Sequence, residues 1–273
     1  YKYKPNFDLP NYDHDFINKI LKHKGGVRAL ALIEVNEFHK AAREFRKIIP
    51  KFDVKDYPKL LSFTSKNNMP GLTFRLAAIL RNDHNKILLG GLYPVPTWNI
   101  DTSDLKDKAL LYAIARQESG FNPRAKSSSK AMGVLQIIPS TAAFITKNRE
   151  YRLRRSKNHL LYNAPHNISI GSKYIKFLFS LPIVNNGLMW MLASYNAGPR
   201  NFEKWTKHRN YKYKDTLLML ESLPARETRN YIKLVLTNLW VYKTRFNQDN
   251  TVLLSLASGK SIDSKVFFKN IGS

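Results

Sequence analysis

Glu118 stands just after the apolar run ALLYAIA (109–115), within ALLYAIARQESGFNPRAKSSSK, and no other Asp or Glu comes after it before Glu150. A carboxylic acid can protonate a leaving group only if it keeps its proton near the working pH. Apolar burial achieves this by disfavouring the charged form, moving a Glu from roughly 4.3 to roughly 6–7. A lone Glu on a greasy helix, ahead of a loop rich in Ser, Gly, Pro and Lys that could shape a cleft, has the make-up of such an acid. Glycoside cleavage ordinarily uses two carboxyl groups, one as acid and one as nucleophile or base. Residues 119–149 offer no second one. A sugar-cleaving Glu118 would therefore need its electrophile trapped by a hydroxyl of the substrate, with the same Glu acting as acid and then as base. On position alone, the competing reading is a solvated surface Glu, slightly disfavoured at a helix C-terminus by the macrodipole.

The elements that must hold this residue are helical. FINKILKHKGG, VRALALIEVNEF and HKAAREFRKII carry apolar residues at helical spacing, and Gly25-Gly26 is expected to close the first of them with positive φ. Pro50, Pro58 and Pro70 punctuate the next stretch of chain, with PGLTFRLAAILRN predicted as a helix opening on Pro70. Short helices joined by tight breaks suggest stacked helical hairpins, as in a solenoid fragment. GGLYPVPTWNIDTSD (90–104) reads as a connection, and we place the domain boundary there, between 92 and 93. Ser103 or Asp104 is expected to cap the helix through ALLYAIARQES, whose apolar face includes Leu110, Leu111 and Ile114. Further helices are predicted at 169–181, 187–198 and 227–246. Strand-like alternation is scarce, so the fold class is all-α.

Composition narrows the function. The 273 residues include 45 Lys and Arg against 20 Asp and Glu, a net charge of +25. Such a balance implies a polyanionic partner: nucleic acid, an anionic membrane face or an acidic wall polymer. The run KNREYRLRRSK (147–157) is either a solvated face or a contact for that polymer. With no cysteine, disulfides, thiolate metal sites and Cys nucleophiles are excluded. The seven His show no HExxH or other tight pairing, so neither a metal nor a cofactor is called for. No stretch approaches the roughly 20 apolar residues of a membrane span. The chain opens YKYKPNFDLP, without Met or an apolar core, which suggests a mature or trimmed chain whose export signal lies outside it.

Taken together and in order, ALLYAIARQESGFNPRAKSSSKAMGVLQIIPSTA, NISIGSKYI, ASYNAGP and LESLPARETRNYI resemble the catalytic domain of the soluble lytic murein transglycosylases. The likeness runs from about 105 to 245, and the helices before 92 look like that family's linker domain. It implies a lysozyme-like fold in which one Glu cleaves the β-1,4 bond between N-acetylmuramic acid and N-acetylglucosamine. The muramyl O6 attacks C1, with help from the N-acetyl group, and leaves a 1,6-anhydromuramyl end. The substrate hydroxyl would then replace the missing carboxylate. Glu118 matches the acid/base, Ser127 the loop Ser beside it and Gln136 a cleft Gln bonded to sugar. Tyr195 and Asn196 match a pair facing the Glu, while Glu227 and Tyr231 match the far cleft wall, touching sugar or stem peptide.

Duller roles stand beside these. Ser127 could cap a turn, Gln136 and Asn196 could satisfy buried backbone, and Glu227 could pair with Arg226 or Arg229. Two positions depart from the family pattern. Leu135 replaces a Met, a volume-conserving swap. Lys130 replaces a Gly, so it is expected to hold a costly conformation and to lower the pKa of Glu118 if it reaches the cleft. The implied setting is periplasmic, in wall remodelling or in opening the wall for a secretion apparatus, with glycan strands and stem peptides as partners. The alternatives are a hydrolytic muramidase using a distant base such as Glu227, and a non-catalytic binder of peptidoglycan or nucleic acid.

Overall fold

The computed structural model describes residues 5–99, 108–153, 157–209, 216–248 and 251–267. Among them there is no strand, only isolated bridges at Lys126–Met132, Met132–Ile137 and Gly187–Asp263. The chain forms two compact units, Tyr1–Asn99 with Ser119–Arg124, and Ile100–Glu118 with Ala125–Ser273.

The first unit holds α1 (His14–Leu21), α2 (Lys24–Glu34), α3 (Phe38–Ile48), α4 (Tyr57–Lys66), α5 (Pro70–His84) and the single turn α6 (Leu89–Leu92). Asp13 caps α1 by accepting from the Phe16 N–H at 2.9 Å. Pro70 opens α5 as the sequence predicts, and α5 ends on Asn85 in the left-handed region. α2 packs on α3 and α4 on α5, the paired arrangement expected. Their buried faces meet in a core of Phe16, Ile20, Phe45, Leu60, Leu61 and Leu76. The expectation for Gly25-Gly26 fails. α1 ends at Leu21, both glycines lie in the first turn of α2, and neither has positive φ. Their role is close approach: a Cβ on Gly26 would stand 1.9 Å from the Ile20 carbonyl oxygen.

The second unit holds α7 (Ala109–Ser119), α8 (Pro139–Thr146), α9 (Ala164–Phe179), α10 (Leu188–Ala197), α11 (Pro199–Arg209), α12 (Thr216–Ser222), α13 (Arg226–Arg245) and α14 (Thr251–Ala257). The expected caps Ser103 and Asp104 lie outside the described residues. Every residue of α7 from Ala109 to Ala115 is buried, so α7 is enclosed on all sides and carries Glu118 on a fixed rod. α10 is as apolar and packs against α9, α11 and α13. α9 starts five residues before the predicted 169, because the Asn163 side chain accepts from the His166 N–H at 3.0 Å and Pro165 sits in the first turn.

Candidate active site

Glu118 lies one residue from the end of α7, partly accessible yet hemmed in by protein. Burial pushes its carboxyl up to about 7, against a smaller lowering by a hydrogen bond from Tyr231. The Tyr231 hydroxyl, on α13, donates to Glu118 Oε1 at 2.7 Å. Among the described residues no second carboxylate and no cation contributes to that shift. Lys130 is exposed on its loop and is not among the groups that shift Glu118, so the depression expected from a cation there is not seen. The phenols around the acid stay neutral. Burial and the Glu118 charge hold Tyr195 and Tyr231 well above 10, and burial lifts Tyr174 to about 12.

Loop 125–137 supplies the next side chains, and its backbone is unusual. Lys130, Gly133 and Gln136 have φ of 64°, 77° and 48°, three left-handed residues within seven. Ser127 closes the first turn: its Oγ accepts from the Ala131 N–H at 3.0 Å, and the Lys130 N–H bonds the Ser127 carbonyl at 3.1 Å. The conformational cost anticipated for Lys130 is therefore present, and Lys130→Gly is expected to stabilise the protein by up to about 1 kcal/mol in a denaturant titration.

The second turn is held from two helices. Asn167 on α9, fully buried, accepts from the Leu135 N–H at 2.8 Å and donates to the carbonyls of Met132 and Leu161 at 2.9 and 3.0 Å. From α10, the Tyr195 hydroxyl donates to the Leu135 carbonyl at 2.7 Å. Both polar groups of Leu135 are thus taken, and the chain turns left-handed at Gln136. There the side-chain Nε2 bonds the Gly133 carbonyl at 2.8 Å, leaving Oε1 without a partner among the described residues.

The family resemblance implies Tyr195 and Asn196 facing the acid and Tyr231 on a far wall. In the structure the hydroxyl touching Glu118 is that of Tyr231, while Tyr195 clamps the loop. Asn196 Oδ1 accepts from the Thr228 hydroxyl at 2.7 Å, tying α10 to α13. Glu227 is exposed in the first turn of α13 and pairs with neither Arg226 nor Arg229, the latter bonding the Leu223 carbonyl instead. Asn167 and Thr228 carry roles that the motifs do not announce. Asn167 could have been found, because an Asn beside Ile168, Ile170 and Gly171 on a buried helix face must satisfy its amide oxygen and both amide N–H groups somewhere. Loss of the phenol should move the acid: Tyr231→Phe is expected to raise the Glu118 pKa above 7, seen as an upward shift in an NMR titration of its side-chain carboxyl.

A helical linker followed by a lysozyme-like domain built around one desolvated Glu defines the class of protein. Residues 101–218 match the family model described as the transglycosylase SLT domain. The soluble lytic murein transglycosylase of Escherichia coli strain K12 is 36% identical over 143 residues, 52% of this chain and 21% of that protein. The fold matches the crystal structure of the 70 kDa soluble lytic transglycosylase from Escherichia coli with a TM-score of 0.70 at 22% identity, covering 89% of this chain and 39% of that one. A complex of the 70-kDa soluble lytic transglycosylase with bulgecin A gives 0.71 at 25% identity, covering 91% and 39%. Over residues 101–218 the chain is thus similar to the transglycosylase SLT domain, and it spans about a fifth of the length of the curated relative and about two-fifths of the solved structures it matches.

Proposed function

We propose that the protein is a peptidoglycan lytic transglycosylase that cleaves the β-1,4 bond between N-acetylmuramic acid and N-acetylglucosamine and leaves 1,6-anhydromuramyl ends. The observation that carries this reading is Glu118, a carboxyl held to about 7 with no partner acid among the described residues. At neutral pH it keeps its proton for a large part of the time and can deliver it to the glycosidic oxygen as the C1–O bond breaks. The resulting carboxylate then takes the proton of the muramyl O6 hydroxyl as that oxygen bonds C1. The acid is restored and no water is consumed. Tyr231 orients the carboxyl through Oε1 and leaves the other oxygen for the substrate.

On this reading Gln136, Asn196, Ser127 and exposed Glu227 contact the sugars or the stem peptide, with Gln136 Oε1 and the Asn196 amide bonding N-acetyl and hydroxyl groups. The domain division accompanying this reading is a helical linker over 1–92 and a catalytic domain with C-terminal extension over 93–273. Among the described residues no helix is long and apolar enough to cross a membrane, and the site of action is periplasmic wall, in remodelling or alongside a secretion apparatus.

Mass spectrometry of fragments released from purified peptidoglycan tests the reading. Products one water lighter than hydrolysis products, absent with Glu118→Gln, are expected. Full-mass reducing ends would make the protein a muramidase, and no release at all would leave a binder.

A further inference from the structure

The first unit carries cations that its own carboxylates do not balance. Lys22, His23, Lys24, Gly25, Arg28, Lys47, Ile48 and Lys51 line a concavity of about 450 Å³ between α2 and α3. One carboxylate serves this cluster: Glu44 bonds Arg28 Nη2 at 2.6 Å and Lys47 Nζ at 2.6 Å. Lys22, Lys24 and Lys51 have no acidic partner among the described residues and are exposed. One turn back along α3 from Lys47 lies Arg43, followed by Arg46. These stand with Arg75 of α5, and burial plus the two like charges depress the Arg46 pKa. Unbalanced cations held together repel one another and destabilise the fold, so the arrangement is explained by a ligand that neutralises them.

The floor of the concavity is kept open by Gly25, where a Cβ would stand 2.8 Å from Ile48 Cγ2. The amide end of α2 adds positive potential, since the side chain of its cap residue, His23, makes no capping bond.

We propose that this cationic face of α2 and α3 binds the carboxylate-bearing peptide stems of peptidoglycan, holding the wall at a second site apart from Glu118. The proposal rests on the peptidoglycan reading above. Carboxylates suit the site better than nucleic acid does. Its free donors are ammonium groups, compact point charges that take single carboxylates, whereas the guanidinium fork of Arg28 is occupied at Nε and Nη2 by Glu44. The only aromatic ring in the lining, His23, packs against Phe52 at 5.3 Å, so bases would find no free face to stack on.

The test measures retention of the full chain, in a Glu118→Gln background, on intact sacculi and on sacculi stripped of peptides by an amidase. The triple variant Lys22→Gln, Lys24→Gln, Lys51→Gln is compared with an equal charge loss elsewhere, Lys86→Gln, Lys204→Gln, Lys260→Gln. We expect the pocket variant to weaken retention on intact sacculi about tenfold at low salt, with no change on stripped sacculi and little change for the control. Unchanged retention on intact sacculi would overturn the proposal. An equal fall on stripped sacculi or in the control, or tighter binding of a DNA oligonucleotide through the same lysines, would do so too. Release of anhydro products by chains retaining Glu118 is measured alongside, so failure of the cleavage reading is seen separately from failure of the pocket.

Discussion

Glu118→Gln is expected to make the protein more stable at pH 8.5 while abolishing its turnover. Both effects come from the same burial. The folded carboxyl has a pKa of about 7 against an ordinary value of 4.5, so the native state holds its proton more tightly than the unfolded chain. Below about pH 4 both states are protonated and the Glu costs nothing. As pH rises through 4.5 the unfolded chain ionises first, and the native state loses stability until it too has ionised above 7. The full cost is up to about 3 kcal/mol. Gln is neutral, similar in shape and can still accept from Tyr231, so it avoids that cost but has no proton to give. Thermal unfolding of both proteins from pH 4 to pH 8.5 should show curves that coincide at the acid end and separate upward for Gln. Release of anhydro products should fall at least about a thousandfold. In the parent protein, release should decline above pH 7 along one limb, as the acid form is titrated away. Coincident stability at pH 8.5 would mean that the carboxyl is not desolvated.

Asn167→Ala is expected to be the most damaging change outside Glu118. It strips the Leu135 N–H and the Leu161 carbonyl of the bonds that the side chain gives them inside a buried region, while the Met132 carbonyl keeps the Ile137 N–H. Each unsatisfied group costs roughly 1–3 kcal/mol, so a loss of about 3 kcal/mol is expected in urea unfolding. The loop carrying Gln136 should loosen with it, and release should drop under conditions where the variant remains folded. Asn167→Asp separates the parts played by the side chain. It keeps the acceptor for Leu135 but loses the two donors and buries a charge, so it should fare no better than Ala. Loss of less than about 1 kcal/mol in both variants would show that the clamp is dispensable.

Much of this is legible in the chain. Glu118 stands out because the helix leading to it is apolar from Ala109 to Ala115 and residues 119–149 hold no other acid, and both properties are local. The apolar residues Leu110, Leu111 and Ile114 fall in the core as their spacing requires. Contacts between distant residues are not legible. Nothing in the sequence shows that Tyr231, 113 positions from Glu118, reaches the acid while Tyr195 instead bonds a carbonyl 60 positions away. That choice depends on how α10 and α13 are rotated against α7 and the loop. Gly25-Gly26 misleads for a related reason. Glycine marks both helix ends and tight helix crossings, and the contact with Ile20 that decides between them is set by packing. Several turns end on Asn rather than Gly, at Asn36, Asn68 and Asn85, which hides them from a search for glycine stops.

The left-handed backbone at Gln136 limits the alphabet available to evolution at a position that reads sugar under the proposed function. Gly, Asn, Asp and His tolerate φ near 48°, unbranched Gln does so at some cost, and Val, Ile and Thr are effectively shut out. Because Asn167 and Tyr195 fix that backbone from outside, exchange among the tolerated residues leaves the scaffold intact. Substrate preference at this point of the site can therefore drift only through a handful of side chains, most of them small and polar.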